Sequence, residues 1–152
     1  MRRTGHTLVE VITVALIVGI LACVAVPRLN FGAVLGAKAD AVVRQIATDL
    51  RRARSQAITH AAHNPKGFAL VMTGDAPYLG YQIVDLHDAS VVANCTFPAG
   101  IRCSGGRRFE FSTLGNLQAG GDTQLHVFTG GKSYSVEVVP TTGAVIWLRR
   151  NE

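Results

Sequence analysis

Residues 8–26 form one apolar run of 19 residues, and this run constrains the fold more than any other feature of the 152-residue chain. Only Glu10, Thr13 and Gly19 interrupt it. At about 1.5 Å per helical residue it spans roughly 28 Å, close to the roughly 30 Å hydrocarbon core of a bilayer. The run predicts a single membrane-spanning helix, which excludes an ordinary cytosolic enzyme as the default interpretation.

The charges around this run predict its orientation. Arg2 and Arg3 lie on the short segment that precedes it. Because basic residues favour the cytoplasmic side of a membrane, we expect Met1 inside and everything after Pro27 outside. The bulk of the chain is therefore predicted to be exported.

Three kinds of protein begin with a basic segment and an apolar run. A cleaved secretory signal would use the small residues Cys23 and Ala25, and a lipoprotein signal would end at Cys23. Both leave Glu10 unexplained, since such signals seldom contain a carboxylate in their apolar region. The third kind keeps the apolar helix attached to the mature chain, and Glu10 has a role there.

Residues 1–5 are a short basic leader that ends in Gly5, followed by His6, Thr7, Leu8, Val9 and Glu10. This segment resembles the class III leader of type IV pilins and type II secretion pseudopilins. The resemblance implies cleavage after Gly5 by a prepilin peptidase, methylation of the new amino terminus, and retention of residues 6–27 as inner-membrane anchor and filament core. Glu10 and Pro27 would be mature residues five and twenty-two, as in the family, whereas His6 stands where the family usually has Phe.

The resemblance also implies a role for Glu10. A charge within an apolar helix is costly, by about 2.5–3.5 kcal/mol at a membrane centre and less near an end. In the family, such a carboxylate pairs with the amino-terminal amine of a neighbouring subunit as it enters the filament. The alternative is that Glu10 simply reaches back to the membrane interface.

Residues 28–64 carry the pattern of an amphipathic helix that continues the first one beyond a kink at Pro27. Its predicted apolar face comprises Leu35, Ala39, Val42, Val43, Ile46, Ala47, Leu50, Ala53, Ala57, Ile58 and Ala61. The arginines Arg44, Arg51, Arg52 and Arg54, together with Asp40 and Asp49, are expected mainly on a solvated opposite face. Leu50, Ala53, Arg54 and Ala57 resemble a run in GspH/FimT-type minor pseudopilins.

Beyond Gly67 the apolar period changes to two, which predicts an exported antiparallel β domain over residues 65–152. Strands are expected at 68–72, 79–86, 91–97, 108–111, 124–128, 134–139 and 144–148. The predicted fold class is α+β, with one long amino-terminal helix packed on the sheet. The resemblance implies the pilin fold.

Cys95 and Cys103 lie close in sequence in the exported part, where oxidation is available. A disulfide there would add about 2–3 kcal/mol if the geometry permits it. The alternative is two free buried thiols. Cys23 is expected to stay reduced.

The sequence carries no catalytic motif that we can assign, so we expect a protein that is not an enzyme and needs no cofactor or metal. Gly131, Lys132 and Ser133 match the end of a phosphate-binding loop, but His126 stands where such a loop needs glycine, and the context predicts a hairpin turn.

The leading functional hypothesis is a minor pilin or pseudopilin, whose partners are other filament subunits. One alternative is DNA capture, since some FimT-type pilins bind DNA through basic residues near their carboxyl end. Arg149 and Arg150 are the candidate contacts, with Arg102, Arg107 and Arg108 as further basic residues. The other alternative is an exported lipoprotein or secreted β domain without a filament role.

Overall fold

The computed structural model describes residues 7–25, 31–129 and 131–150. The chain divides into two compact units, Met1–Ala33 and Val34–Glu152. The predicted leader, the processing residues Gly5 and His6, and the kink residue Pro27 lie outside the described residues.

Two helices and eight strands form in the described residues, and the fold is α+β with antiparallel sheets, as the sequence predicts. The helices are α1 (Leu8–Ala25) and α2 (Phe31–Thr59). The described residues thus contain two helical segments, and the predicted single long helix is not shown. Within the described ranges, neither helix combines the length and apolarity that crossing a membrane requires.

The strands form two four-stranded sheets. They are β1 (Phe68–Thr73), β2 (Gly80–Asp85), β3 (Val91–Thr96), β4 (Arg102–Gly105), β5 (Arg108–Phe111), β6 (Gln124–Thr129), β7 (Lys132–Val138) and β8 (Val145–Arg150). The first sheet has the order β3-β2-β1-β5 and the second β4-β6-β7-β8. Every neighbouring pair is antiparallel. Seven of these strands match predicted ones, whereas β4 was not predicted.

One face of α2 forms part of the same hydrophobic core as both sheets. Its buried residues recur at three- and four-residue steps: Ala39, Val42, Val43, Ile46, Ala47, Leu50, Ala53 and Ala57. The predicted apolar face is confirmed for these eight positions. Ile58 departs from it, since its side chain is 44% exposed.

Arg44, Arg51 and Arg52 of α2 are exposed, as predicted, and Arg54 is half-buried, but three of these four arginines also contact the β domain. Arg44 lies over the Trp147 ring, with Cζ 5.3 Å from its centroid, and Arg51 Nη2 donates to the Val145 carbonyl at 3.1 Å. Both contacts cover the edge strand β8. Arg54 Nε donates to the Gly115 carbonyl at 3.0 Å. Arg44, Arg51 and Arg54 thus connect α2 to the β domain. Among the described residues, Arg52 is the exposed arginine of the four that makes no such contact.

The junction between α2 and β1 is organised by Asn64, which is 4% exposed. Its Nδ2 donates to the Gly67 carbonyl and to Asp85 Oδ1, both at 2.7 Å. Its Oδ1 accepts from the backbone N–H groups of Lys66 and Gly67 at 3.0 and 2.9 Å. Gly67 has φ +83°, and a Cβ there would lie 2.0 Å from the Phe111 carbonyl oxygen, so this turn requires glycine.

Candidate functional site

The amino-terminal end of α1 is capped by Thr7. The Glu10 N–H donates to the Thr7 carbonyl at 3.0 Å and to its Oγ1 at 3.4 Å. This places Thr7 at the cap and Glu10 three residues later, the spacing of a capping box. The negative charge of Glu10 also lies at the positive end of the helix dipole. The sequence signal for this cap is the three-residue spacing between Thr7 and Glu10.

The rest of α1 is apolar on all sides, and its large side chains are exposed in the described chain. Leu8, Val11, Leu16, Ile20 and Leu21 are all more than half exposed. A shallow groove runs along the helix, lined by Glu10, Val11, Val14, Ala15, Val18 and Gly19. No atom lies within 4 Å of the position that a Cβ on Gly19 would take. A helix with apolar residues all round needs apolar surroundings, because water does not offset such an area.

The predicted DNA contacts, Arg149 and Arg150, lie at the carboxyl end of β8. They line a cleft of about 620 Å³ together with Phe128, Thr129, Gly131, Lys132 and Ser133. The antiparallel register places Ser133 opposite Arg150 and Tyr134 opposite Arg149. Lys132, Arg149 and Arg150 thus line the cleft, and the register places the side chains of Arg149 and Arg150 on opposite faces of β8.

The other arginines of the DNA hypothesis lie elsewhere. Arg102 is in β4, which lies three strands from β8 at the opposite edge of its sheet. Arg107 lies 3.9 Å from Asp75, and Arg108 forms an ion pair with Glu110. The backbone N–H groups of Arg107 and Arg108 also donate to Asp122 Oδ2. The five arginines do not form one basic patch.

The predicted disulfide between Cys95 and Cys103 is not formed, since both are free thiols. Cys95 is in β3 of the first sheet and Cys103 is in β4 of the second. Cys103 is fully buried, and burial raises the pKa of its thiol to about 12. Cys103 therefore matches the predicted alternative of a free buried thiol. Cys95 is also a free thiol, but it is only half-buried. Cys23 is also free.

Cys95 belongs to a polar contact between α2 and the first sheet. Its Sγ accepts a hydrogen bond from Gln45 Nε2 at 3.3 Å. The neighbouring Tyr81 hydroxyl donates to Asp49 Oδ2 at 2.6 Å, and burial together with this carboxylate raises the pKa of Tyr81 strongly. Asp49 of α2 therefore accepts a hydrogen bond from Tyr81 of the first sheet.

The described residues contain no group of three or more His, Cys, Asp or Glu side chains arranged to hold a metal ion. His60 packs edge-on against the Phe68 ring at 5.7 Å. The His60 ring therefore makes a packing contact with β1.

No family profile, no curated protein and no solved structure is significantly similar to the chain.

Proposed function

We propose that this chain is a structural filament subunit of the minor pilin or pseudopilin kind. The observation that carries the proposal is α1: a helix that is apolar all round, exposed along its length, and carries a carboxylate in its first turn. Such a helix requires a partner, and the interior of a bundle of equivalent helices supplies one. The leader sequence supports the same proposal, since Gly5 precedes Glu10 by the spacing of the resembled families.

In this proposal the two units have different tasks. The apolar residues 8–26 anchor the newly made chain in the inner membrane, with the leader in the cytoplasm, and later pack in the filament. The described helices do not reach the length and apolarity of a membrane span. The proposed anchoring role therefore rests on the sequence of this run and its basic leader. The β domain is displayed outside the membrane.

Two interactions would drive assembly, helix packing and a charge pair. Packing of the α1 groove brings helices close, and the absence of a side chain at Gly19 permits close approach. Pairing of Glu10 with the amine created at His6 then sets the axial register, because either charge without its partner is costly in apolar surroundings. A prepilin peptidase has to act first, since it creates that amine.

Site-specific photo-crosslinking in the envelope tests this proposal. We place a photoreactive amino acid at Val18, in the α1 groove, or at Val92, an exposed position of β3. The Val18 probe should give adducts with a second copy or with other proteins that carry a glycine-ended basic leader, identified by mass spectrometry. The Val92 probe should give at least about tenfold less of these adducts. Adducts of the Val18 probe with lipid alone would contradict filament membership.

A further inference from the structure

The strand β3 lies at one edge of the first sheet, and the filament proposal gives this edge no role. We propose that it binds an extended segment of another polypeptide, which adds to the sheet as a further antiparallel strand. The segment carries an apolar residue and a carboxylate at the end that reaches a cavity beside Phe97 and Arg102. This inference does not rest on the filament proposal, because it concerns the β domain alone.

The other three sheet edges are covered by parts of the same chain. At β5, the Asp122 N–H donates to the Arg108 carbonyl at 2.9 Å. At β4, the Tyr78 N–H donates to the Cys103 carbonyl at 2.8 Å. At β8, the Arg51 side chain donates to the first carbonyl of the strand at 3.1 Å. Such cover occupies edge groups that would otherwise pair with a foreign strand.

The edge of β3 has no such cover among the described residues. The Phe97 N–H donates to the Leu79 carbonyl of the neighbouring segment at 2.9 Å. Because paired residues alternate along an antiparallel ladder, the backbone groups of Asn94 and Thr96 point away from β2. The Thr96 carbonyl receives only the Cys95 thiol of its own strand, at 3.9 Å. Both outward residues are exposed and uncharged, so this edge is open to another strand.

The cavity and the charges indicate what kind of segment fits. An extended backbone offers the alternating donors and acceptors that this edge lacks, and a pocket for a side chain adds specificity. The carboxyl end of β3 borders a cavity of about 320 Å³ whose lining includes Leu79, Phe97 and Ile101. Leu79 is 70% exposed, and Arg102 is the charged residue in the described lining. An apolar side chain and a carboxylate therefore complement the cavity.

Charge also favours another polypeptide over a second copy of this chain. The net charge is +5, so two copies repel each other, whereas a segment with an acidic residue is attracted. The covered edges leave a second copy only its own β3 to offer. We therefore assign the edge to a segment from a different protein.

The test is a titration of the full-length chain in uncharged detergent micelles with the synthetic peptide acetyl-Asp-Leu-Thr-Val-Thr-Val-amide, followed by amide NMR. Its amino-terminal end lies at the cavity when it pairs antiparallel to β3. We expect saturable shifts confined to residues 91–98 and 102. At saturation, the Asn94 and Thr96 amides should exchange with solvent at least about tenfold more slowly, because they become hydrogen-bonded.

Variants of the chain separate backbone pairing from the cavity contact. Asn94→Pro removes an outward N–H and breaks no bond to β2, and proline is tolerated at such edge positions. It should weaken binding at least about tenfold, whereas Asn94→Thr keeps the N–H and should change binding less than about twofold. The parent chain should prefer the Asp peptide to its Asn counterpart about tenfold, and Arg102→Gln should abolish this preference.

Four results would overturn the proposal. They are absence of saturation, shifts centred on another strand, unchanged binding by folded Asn94→Pro, and an Asp preference that survives Arg102→Gln. If Asn94→Pro does not fold, a peptide with two consecutive prolines at its centre tests the same contact, and undiminished binding of that peptide would contradict backbone pairing. Slow exchange of Asn94 and Thr96 that grows with protein concentration in the absence of peptide would identify a second copy as the occupant, and would also refute the assignment.

Discussion

Replacing Asn64 by aspartate is expected to lower the free energy of unfolding by about 3 kcal/mol at pH 7. The amide donates to the Gly67 carbonyl and to Asp85 Oδ1, and the new oxygen could donate to neither while ionised. It would also place a second carboxylate 2.7 Å from that of Asp85, inside a nearly closed turn. Denaturant unfolding of the full-length chain, followed by circular dichroism, measures the loss.

This prediction has a pH signature. Two carboxylates in one site raise the folded-state pKa of the pair, so one proton is held more tightly in the folded than in the unfolded chain. The stability deficit of Asn64→Asp should therefore shrink as pH falls from 7 towards 4. Asn94→Asp, at an exposed position of β3, should cost less than about 0.5 kcal/mol at either pH. Equal stability of Asn64→Asp and the parent chain at pH 7 would show that the Asn64 contacts are dispensable.

The second large effect is expected at Glu10. Glu10→Gln should reduce the yield of α1 crosslinks between subunits at least about tenfold, because the amine at His6 would lose its counter-charge in apolar surroundings. The readout is the adduct of the Val18 probe, normalised to the amount of processed chain. Cleavage after Gly5 should be unaffected.

The structure also places Glu10 at the spacing of a capping box, three residues after Thr7, whose Oγ1 accepts from the Glu10 backbone N–H, and the choice of variant separates the charge of Glu10 from this cap. Glutamine can replace glutamate in a capping box, so Glu10→Gln removes the charge and keeps the cap. Thr7→Val does the reverse, since it removes the Oγ1 acceptor and keeps the charge. We expect near-normal crosslinking for Thr7→Val. Normal assembly of Glu10→Gln together with failure of Thr7→Val would make Glu10 a capping residue only.

The parts of the fold with a strong period could be predicted from the sequence. The buried positions of α2 recur at helical spacing, and in strands such as β5 buried apolar residues alternate with polar ones, so their burial follows from local pattern. The strand β4 has no such pattern, because Cys103 is its only buried residue among Arg, Ser and Gly. Its place in the sheet depends on pairing with β6, which is distant in sequence.

The candidate sites were less predictable because they depend on tertiary contacts. The cleft forms only when the register of β7 and β8 brings Ser133 opposite Arg150. Proximity in sequence favoured a disulfide between Cys95 and Cys103, but the two residues lie in different sheets and both are free thiols, and local sequence does not indicate that change of sheet. Arg44 and Arg51 of α2 are exposed as the sequence predicts, but nothing local indicates that they also contact β8.

The central claim is that the chain is processed as a prepilin and keeps its apolar helix. The most direct test is the intact mass of the mature protein recovered from the envelope of its own host, checked by amino-terminal sequencing. We predict a chain that begins at His6, and an added methyl group would show that the new terminus is methylated. A lipidated terminus at Cys23, or a start near Val26, would contradict the account, since the β domain would then have lost its assembly helix.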